Sequence, residues 1–326
     1  MRILVTGGAG YIGSHAVRLL LEHGHEITVF DNLSRGHPQA VPRELLVQAD
    51  LHDIHRLDQV LLNRRIEAVI HFAALAQVGE SVKNPALYYK NNLAGTLALL
   101  DCMQRAGVKR FIFSSTCATY GAPEKMPISE DCPQIPVNPY GRTKLAVEWA
   151  LSDYALASDW ACVSLRYFNA AGAHPAGDIG ENHHPETHLI PLALFAAAGS
   201  MPKLVIFGND YPTPDGACIR DYIHVEDLAE AHRLALEKVP PGQHWRLNLG
   251  TGKGSSVTEV LTAAGTVVGK KVPFTLGQRR EGDPPELVAN ATRAREILGW
   301  KPVYTELEAI VDSAWKWHRL HPRGYQ

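Results

Sequence analysis

The sequence predicts an α/β protein doubly wound around a parallel sheet, with a smaller α/β lobe later in the chain. Three observations predict it. Short β-branched runs alternate with longer amphipathic stretches through the first half, as in repeated βαβ units. A glycine-rich turn, Gly7-Gly8-Ala9-Gly10-Tyr11-Ile12-Gly13, directly follows the first of these runs. Beyond Asn169 the texture changes to Gly, Pro, His and Asn, as in Gly172-Ala173-His174-Pro175.

Residues 2–6 read as the first strand, 11–23 as a helix and 26–30 as the second strand. Further strands are expected at 45–48, 68–72 and 109–114, with helices over 53–64 and 85–106 between them. Pro139 suits a helix start, where its missing N–H costs nothing, so 140–157 should form one long helix. Residues 161–167 read as another core strand. The first unit is therefore expected over 1–168, with returning segments near 221–250, and the second mainly over 169–326. Within the returning stretch, 221–236 and 246–249 look like regular elements.

The chain's 326 residues are too many for one small core. Apolar residues make up 45% and charged ones 20%, ordinary for a globular enzyme. Lysine and arginine number 32 against 34 acids, with no basic arm or stripe, which argues against a nucleic-acid partner. Cys102, Cys117, Cys132, Cys162 and Cys218 are odd in number and form no Cys-x-x-Cys pair. A disulfide framework or thiolate zinc site is not expected, and a reducing cytoplasm fits. Ile3-Leu4-Val5 runs straight into the glycines, so no cleavable leader is expected. The longest apolar stretch, 189–199, contains Pro191 and is too short to span a bilayer. The expectation is a soluble cytoplasmic protein with no membrane partner.

Gly7, Gly10 and Gly13 fit Gly-x-x-Gly-x-x-Gly, and Gly8, Gly10 and Gly13 fit Gly-x-Gly-x-x-Gly. In a strand–turn–helix setting, glycines let the backbone approach a dinucleotide pyrophosphate, which then meets free N–H groups at the helix start. Asp31 ends the next strand, placed to accept from ribose hydroxyls and to repel a 2′-phosphate. That favours NAD over NADP, although Arg35 lies four residues on. The fold expected is thus a Rossmann-type sheet with a smaller substrate-binding lobe.

Ser114-Ser115-Thr116 ends the apolar run Phe111-Ile112-Phe113, and Tyr140-Gly141-Arg142-Thr143-Lys144 opens a helix. Four-residue spacing puts Tyr140 and Lys144 on one helix face. An isolated phenol, with a pKa of ~10, is a poor base at neutral pH. Lys144 and an oxidised nicotinamide are expected to lower it. Lys144 can also hold the nicotinamide ribose, and Thr116 can relay a proton between a substrate hydroxyl and Tyr140. This is equipment for moving a hydride and a proton at a carbon–oxygen bond.

At this point a resemblance becomes close over nearly the whole chain. Its carriers include Gly7–Gly13 with Ser14-His15, Asp31-Asn32-Leu33-Ser34, His71-Phe72-Ala73-Ala74, Val78-Gly79-Glu80-Ser81 and Tyr88-Tyr89-Lys90-Asn91-Asn92. Others are Asn138-Pro139-Tyr140-Gly141, Leu165-Arg166-Tyr167-Phe168-Asn169 and, most specific, Phe207-Gly208-Asn209-Asp210-Tyr211-Pro212-Thr213 continuing to Arg220-Asp221-Tyr222-Ile223-His224. The chain resembles the extended short-chain dehydrogenases/reductases and, among them, the UDP-hexose 4-epimerases.

The resemblance implies a redox-neutral cycle on a UDP-sugar, UDP-glucose and UDP-galactose foremost. Tyr140, with Thr116 and Lys144, would take the 4-hydroxyl proton as the C4 hydride leaves, and the 4-keto sugar would turn over before reduction. It implies NAD contacts at Gly7, Gly10, Tyr11, Ile12, Gly13, Asp31, Asn32, Asp50, Leu51, Phe72, Ala73, Asn91, Tyr140, Lys144 and Phe168. Substrate contacts are implied at Thr116, Asn169, His188, Leu189, Val205, Phe207, Arg220, Arg280, Asp283 and Leu287. Arg220 and Arg280 would clamp the diphosphate, Phe207 would lie by the uracil, and Asn169 and Asp283 would hold ribose or sugar-phosphate groups.

The chain departs from the family pattern at Ala76, where some members carry lysine, and at Leu287, where some carry tyrosine in the hexose pocket. Leu287 leaves room for an N-acetyl group. Ser114–Gly121 also resembles pentose-nucleotide 4-epimerases, so UDP-N-acetylglucosamine and UDP-xylose/UDP-arabinose stay open as substrates. A dehydratase would need an acidic pair beside Thr116, where Cys117 and Ala118 stand. A nucleotide-sugar dehydrogenase is the remaining alternative. His183, His184 and His188 show no accompanying carboxylate or cysteine set, so no metal is expected. The helices over 85–106 and 140–157 are expected to pair across a twofold axis as the four-helix bundle of a homodimer.

Overall fold

The first apolar run forms β1 (Arg2–Thr6), buried throughout Ile3, Leu4 and Val5. The computed structural model describes residues 1–280 and 282–326. From β1 the chain turns through the glycines into α1 (Tyr11–Glu22) and returns as β2 (Glu26–Asp31), parallel to β1 with Glu26 opposite Arg2. The move repeats through β3 (Leu46–Gln48), α2 (Ile54–Asn63) and β4 (Ala68–His71). Next come α3 (Val78–Lys83), α4 (Pro85–Tyr88), a π-helical segment over Tyr89–Ala94, and α5 (Gly95–Ala106). β5 (Arg110–Thr116), α6 (Pro139–Ser158) and β6 (Ala161–Tyr167) follow.

Then the chain builds smaller sheets: β7 (Asn169–Ala171), α7 (Leu189–Ala198), β8 (Leu204–Phe207) and β9 (Ile219–His224). It continues as α8 (Val225–Lys238), β10 (Gln243–Leu249), β11 (Gly254–Ser256) and α9 (Val257–Val268). β12 (Phe274–Gly277), β13 (Glu286–Leu287), α10 (Thr292–Leu298) and α11 (Leu307–Leu320) complete it.

The main sheet has seven parallel strands in the order β10-β6-β5-β4-β1-β2-β3. Strand order reverses between β1 and β4, and ligands of open α/β sheets bind at the carboxyl ends beside such a switch. Alternate side chains of β1 serve opposite faces. Ile3 and Val5 join Val17 and Leu20 of α1 and Leu228 and Leu236 of α8. Leu4 joins Leu57 of α2, Leu99 of α5 and Val147 and Leu151 of α6. A separate core lies among α7, α9 and α11 around Leu194, Val260 and Ile310. β9 is the hub of the second sheet, pairing with β7, β11 and β13.

Four parts of the chain differ most from the sequence expectation. The helix over 85–106 is interrupted by the π-helical segment, where the Asn92 side chain leaves its helix to bond the backbone of Leu75. β5 runs on to Thr116, carrying Ser114 and Ser115 inside the strand, and β10 starts at Gln243. Within 221–236, β9 belongs to the smaller sheet while α8 packs into the main core. No described helix is long and apolar enough to cross a membrane.

Candidate active site

The glycine loop fits a dinucleotide for reasons visible at each glycine. Gly7 has φ 69°, and a Cβ there would meet Ala73 N at 2.5 Å. A Cβ on Gly13 would meet Gly7 O at 2.2 Å, so only glycine lets α1 pack this tightly onto the loop. α1 has no side-chain cap and no acid in its first turn. The N–H groups of Tyr11, Ile12 and Gly13, which a helix cannot satisfy internally, are thus left for an anion.

Asp31 is buried at the end of β2, with Oδ2 accepting from Ala9 N (3.0 Å) and Oδ1 from Leu33 N (2.8 Å). Burial raises its carboxyl pKa against the pull of those two bonds. Each carboxylate oxygen keeps acceptor capacity, as a ribose diol requires. Asn32 Nδ2 donates to Asp50 Oδ2 (2.8 Å), next to the buried Leu51, which brings three of the expected NAD contacts together. Ala73 abuts Gly7, Phe72 packs on the His232 ring at 4.6 Å, and Asn91 Nδ2 donates to Asn92 Oδ1 (2.9 Å). The side chains of Tyr11 and Ile12 are otherwise engaged. Tyr11 donates its hydroxyl to Gly172 O (2.5 Å) and Ile12 packs on the core, leaving their amides for a ligand.

At the other side of the switch, Asn138 caps α6 by accepting from Gly141 N (2.9 Å), and Pro139 occupies its first turn. This fixes Tyr140 and Lys144 against the end of β5. Lys144 Nζ donates to Ser114 O (2.6 Å) and lies 4.7 Å from the Phe113 ring centroid and 6.0 Å from that of Tyr140. Burial lowers the Lys144 pKa to about 7, with Glu148 pulling the other way. Burial pushes the Tyr140 phenol up to about 12, and hydrogen bonding with Thr116 opposes that rise. Lys144 was expected to draw the phenol down. In the protein alone desolvation wins, because the same burial weakens the ammonium meant to do the drawing.

Several partners were not assigned roles from sequence. Ser114 Oγ and the Tyr167 hydroxyl share a short hydrogen bond beside Lys144. Ser115 Oγ donates to Glu148 Oε1 (2.5 Å), and Glu148 receives Arg166 through Nε (3.0 Å) and Nη2 (2.5 Å). Arg166 Nη1 continues to Tyr120 (2.8 Å), whose hydroxyl donates to Asn248 Oδ1 (2.7 Å). Asn92, Arg166 and Tyr167 sit inside quoted motifs, but their partners lie far away in sequence.

Four of the expected substrate residues meet in two pairs, while His188 lies against Glu181 and Glu186. Arg220 Nη2 donates to Asp283 Oδ1 (2.5 Å), and the Arg280 guanidinium lies 4.2 Å from the Phe207 ring centroid. Val205 and Phe207 share the exposed side of β8, at 43% and 38% exposure. Leu287 pairs with Arg220 across β13 and β9 and packs in the cluster of Phe168, Tyr120 and Cys117, next to the end of β5. Asn169 opens β7 opposite Tyr222. Leu189 starts α7 and packs in the second lobe's core. Glu281, within the Arg279–Asp283 run, lies outside the described residues.

The histidine stretch needs a correction. Two carboxylates do accompany it: Glu181 and Glu186 both lie against His183 and His188. His184 stands apart, its carbonyl accepting from Arg35. Linear spacing concealed this because the segment is irregular, with no helix or strand period to align the donors.

Fold and site together define a dinucleotide-binding α/β enzyme with a half-buried tyrosine and a buried lysine paired at the carboxyl edge of its sheet. The chain belongs to the NAD dependent epimerase/dehydratase family, whose profile matches residues 3–250. It is 52% identical to a UDP-glucose 4-epimerase of Halalkalibacterium halodurans, across 100% of this chain and 98% of that one. The crystal structure of UDP-glucose 4-epimerase from Brucella ovis in complex with NAD superposes with a TM-score of 0.93 at 50% identity, covering 96% and 97% of the two chains. That of UDP-glucose 4-epimerase from Bifidobacterium longum in complex with NAD+ and UDP gives 0.95 at 37% identity, covering both chains fully (100%).

Proposed function

We propose that the protein is an NAD-dependent isomerase that interconverts UDP-glucose and UDP-galactose through a transient 4-keto sugar. The observation that carries this reading is a buried Lys144 one helical turn from a half-buried Tyr140 at the end of β5, in a chain that matches UDP-glucose 4-epimerases end to end. Bound NAD supplies a reversible two-electron acceptor for C4 and, when oxidised, a positive charge beside the phenol.

The chain's own residues supply the rest. The open amides of α1 hold the pyrophosphate and Asp31 the adenosine ribose. Tyr140 takes the 4-hydroxyl proton as base, and Thr116 hydrogen-bonds between the two oxygens. Lys144, held by Ser114 O, orients the nicotinamide ribose and stabilises phenolate. Arg220 and Arg280 clamp the diphosphate, since guanidinium forks match phosphate oxygens. Phe207, stacked with Arg280, lies against the uracil, with Asp283 and Asn169 on ribose or sugar-phosphate groups. The anchor is charged and the neighbouring hexose side, at Leu287, is apolar. An apolar wall lets a keto sugar rotate because it offers few directional bonds to break.

A homodimer fits the same reading. Leu97 of α5 and Trp149 and Leu156 of α6 are exposed, Leu156 at 87%, on the two helices expected to form a four-helix bundle with a second copy. Five free thiols suit a reducing cytoplasm.

Proton NMR of the purified protein with UDP-galactose and no added cofactor, alongside NADH absorbance, tests the function. UDP-glucose forming without net NADH is the expected result. Accumulating NADH would instead make the protein a dehydrogenase, and conversion confined to UDP-N-acetylgalactosamine or UDP-xylose would move the activity to those substrates.

A further inference from the structure

Between β7 and α7 the chain forms an irregular strap whose polar side chains point at one another. Glu181, His183, Glu186 and His188 each offer one donor atom, and all four donor atoms lie within 4.8 Å of one another. His183 Nδ1 is 3.1 Å from Glu181 Oε1 and 3.7 Å from Glu186 Oε2. His188 Nδ1 bonds Glu181 Oε1 and is 3.8 Å from Glu186 Oε1. Both imidazoles thus turn the same nitrogen inward.

We propose that these four residues bind one divalent transition-metal ion of the Zn2+ type, separate from the catalytic cofactor. Four ligands at about 2.0–2.2 Å in a tetrahedron stand roughly 3.3–3.6 Å apart, close to the 3.1, 3.7 and 3.8 Å separations of three of these pairs, while Glu181 Oε1 and His188 Nδ1, hydrogen-bonded to each other, would part to admit the ion. Two imidazoles and two carboxylates suit zinc better than calcium or magnesium, which favour oxygen donors alone. Charge points the same way. The Glu181 and Glu186 side chains are only 5% and 9% exposed, and among the described residues no lysine or arginine pairs with either. Without an ion the two imidazoles hold protons that balance the carboxylates, since Glu181 and Glu186 raise the pKa of His183 and Glu181 that of His188; one divalent ion would displace those two protons and leave the cluster neutral.

The surroundings hold the donors in place. Glu186 Oε1 accepts from the backbone N–H of Thr187 (2.7 Å) and His188 (2.9 Å), so its second oxygen is turned toward His183. Trp317 Nε1 donates to Glu181 O (3.0 Å), pinning that residue's backbone to α11. The His188 side chain is 50% exposed and leaves a way in. Four protein donors fill a tetrahedral shell, so the ion is structural and leaves no position for an activated water. The Tyr11 ring meets the His183 ring edge-on at 6.2 Å, so the metal would fasten the strap beside the start of α1.

The test uses full-length NAD-loaded protein stripped of metal by a chelator and then titrated with Zn2+ by calorimetry and with Co2+ by visible spectroscopy. Expected are saturable binding of one ion per chain and the intense d–d bands of four-coordinate Co2+. His183→Gln and Glu186→Gln should each weaken Zn2+ binding by at least about tenfold, with metal-free melting curves confirming that both variants fold. Absence of saturable binding, a six-coordinate Co2+ spectrum, or affinity unchanged in both variants would overturn the site. Should neither variant fold, the Co2+ spectrum of the wild-type protein decides alone.

Discussion

Tyr140, Lys144 and Glu148 follow one another at four-residue intervals along one face of α6, yet the first two and the third live under opposite electrostatics. At Tyr140 and Lys144 burial prevails, and both groups are pushed toward their neutral forms. One turn later Glu148 is fully buried, but three bonds from Arg166 and one from Ser115 hold its carboxyl below the usual range. The same helix thus carries an uncompensated half and a compensated half. What separates them is whether a partner is built into the fold or left for a ligand to bring. A desolvated group without a permanent partner of opposite charge is poised for chemistry, and one with such a partner is poised for rigidity.

The comparison can be broken most sharply at Tyr140. Tyr140→Phe should lower kcat by about 10³-fold or more, in the upper range for general acid–base groups, without shifting the melting temperature. Steady-state conversion of UDP-galactose checks it, and activity within a few-fold of wild type would remove the phenol from its role. Glu148→Ala should do the reverse. It strands the Arg166 charge in the interior and should cost about 3–5 kcal/mol in urea unfolding, while the folded fraction stays active. An unchanged unfolding midpoint would deny that the pair is a buried unit.

Lys144 gives a subtler reading through pH. Its pKa in the fold is about 7 and its ordinary value 10.5. Between those values the unfolded chain binds the proton and the folded one does not, so stability of the nucleotide-free protein should rise with pH. The slope is at most about 1.4 kcal/mol per pH unit and vanishes below the lower value, where both states are protonated. Lys144→Met should flatten this window in denaturation curves taken from neutral to alkaline pH; an equal slope in both proteins would mean that Lys144 keeps its charge in the fold. The smallest effect belongs to Ser115→Ala, which removes one bond to a charged group and should cost about 1–2 kcal/mol with kcat preserved. A large loss of kcat there would show that the two halves are not separable.

Legibility from sequence followed the range of the interaction. The glycine loop, Asp31 and the Tyr140/Lys144 spacing were readable because each is a contiguous pattern with a geometric meaning. The Ser115–Glu148–Arg166–Tyr120–Asn248 network was not, since each partner is supplied by a different element and only the sheet order brings them together. The direction of the Tyr140 shift was missed for a related reason. Spacing reveals a neighbouring ammonium but not how thoroughly the fold desolvates both groups. The π-helical turn at Asn91 and Asn92 escaped because a composition that suits an α-helix also suits one with a residue inserted.

β6 is buried along its whole length, yet one of its two neighbours, β10, is among the last strands of the sheet to be synthesised. During translation roughly 80 residues separate the ends of the two strands, or ~4–16 s at ~5–20 residues per second. Throughout that interval an apolar strand stands at an open sheet edge, the arrangement most prone to pairing with a neighbouring chain. The nascent protein therefore depends on prompt arrival of its own residues 243–249 to close that edge, and slow elongation across this stretch should favour aggregation over folding.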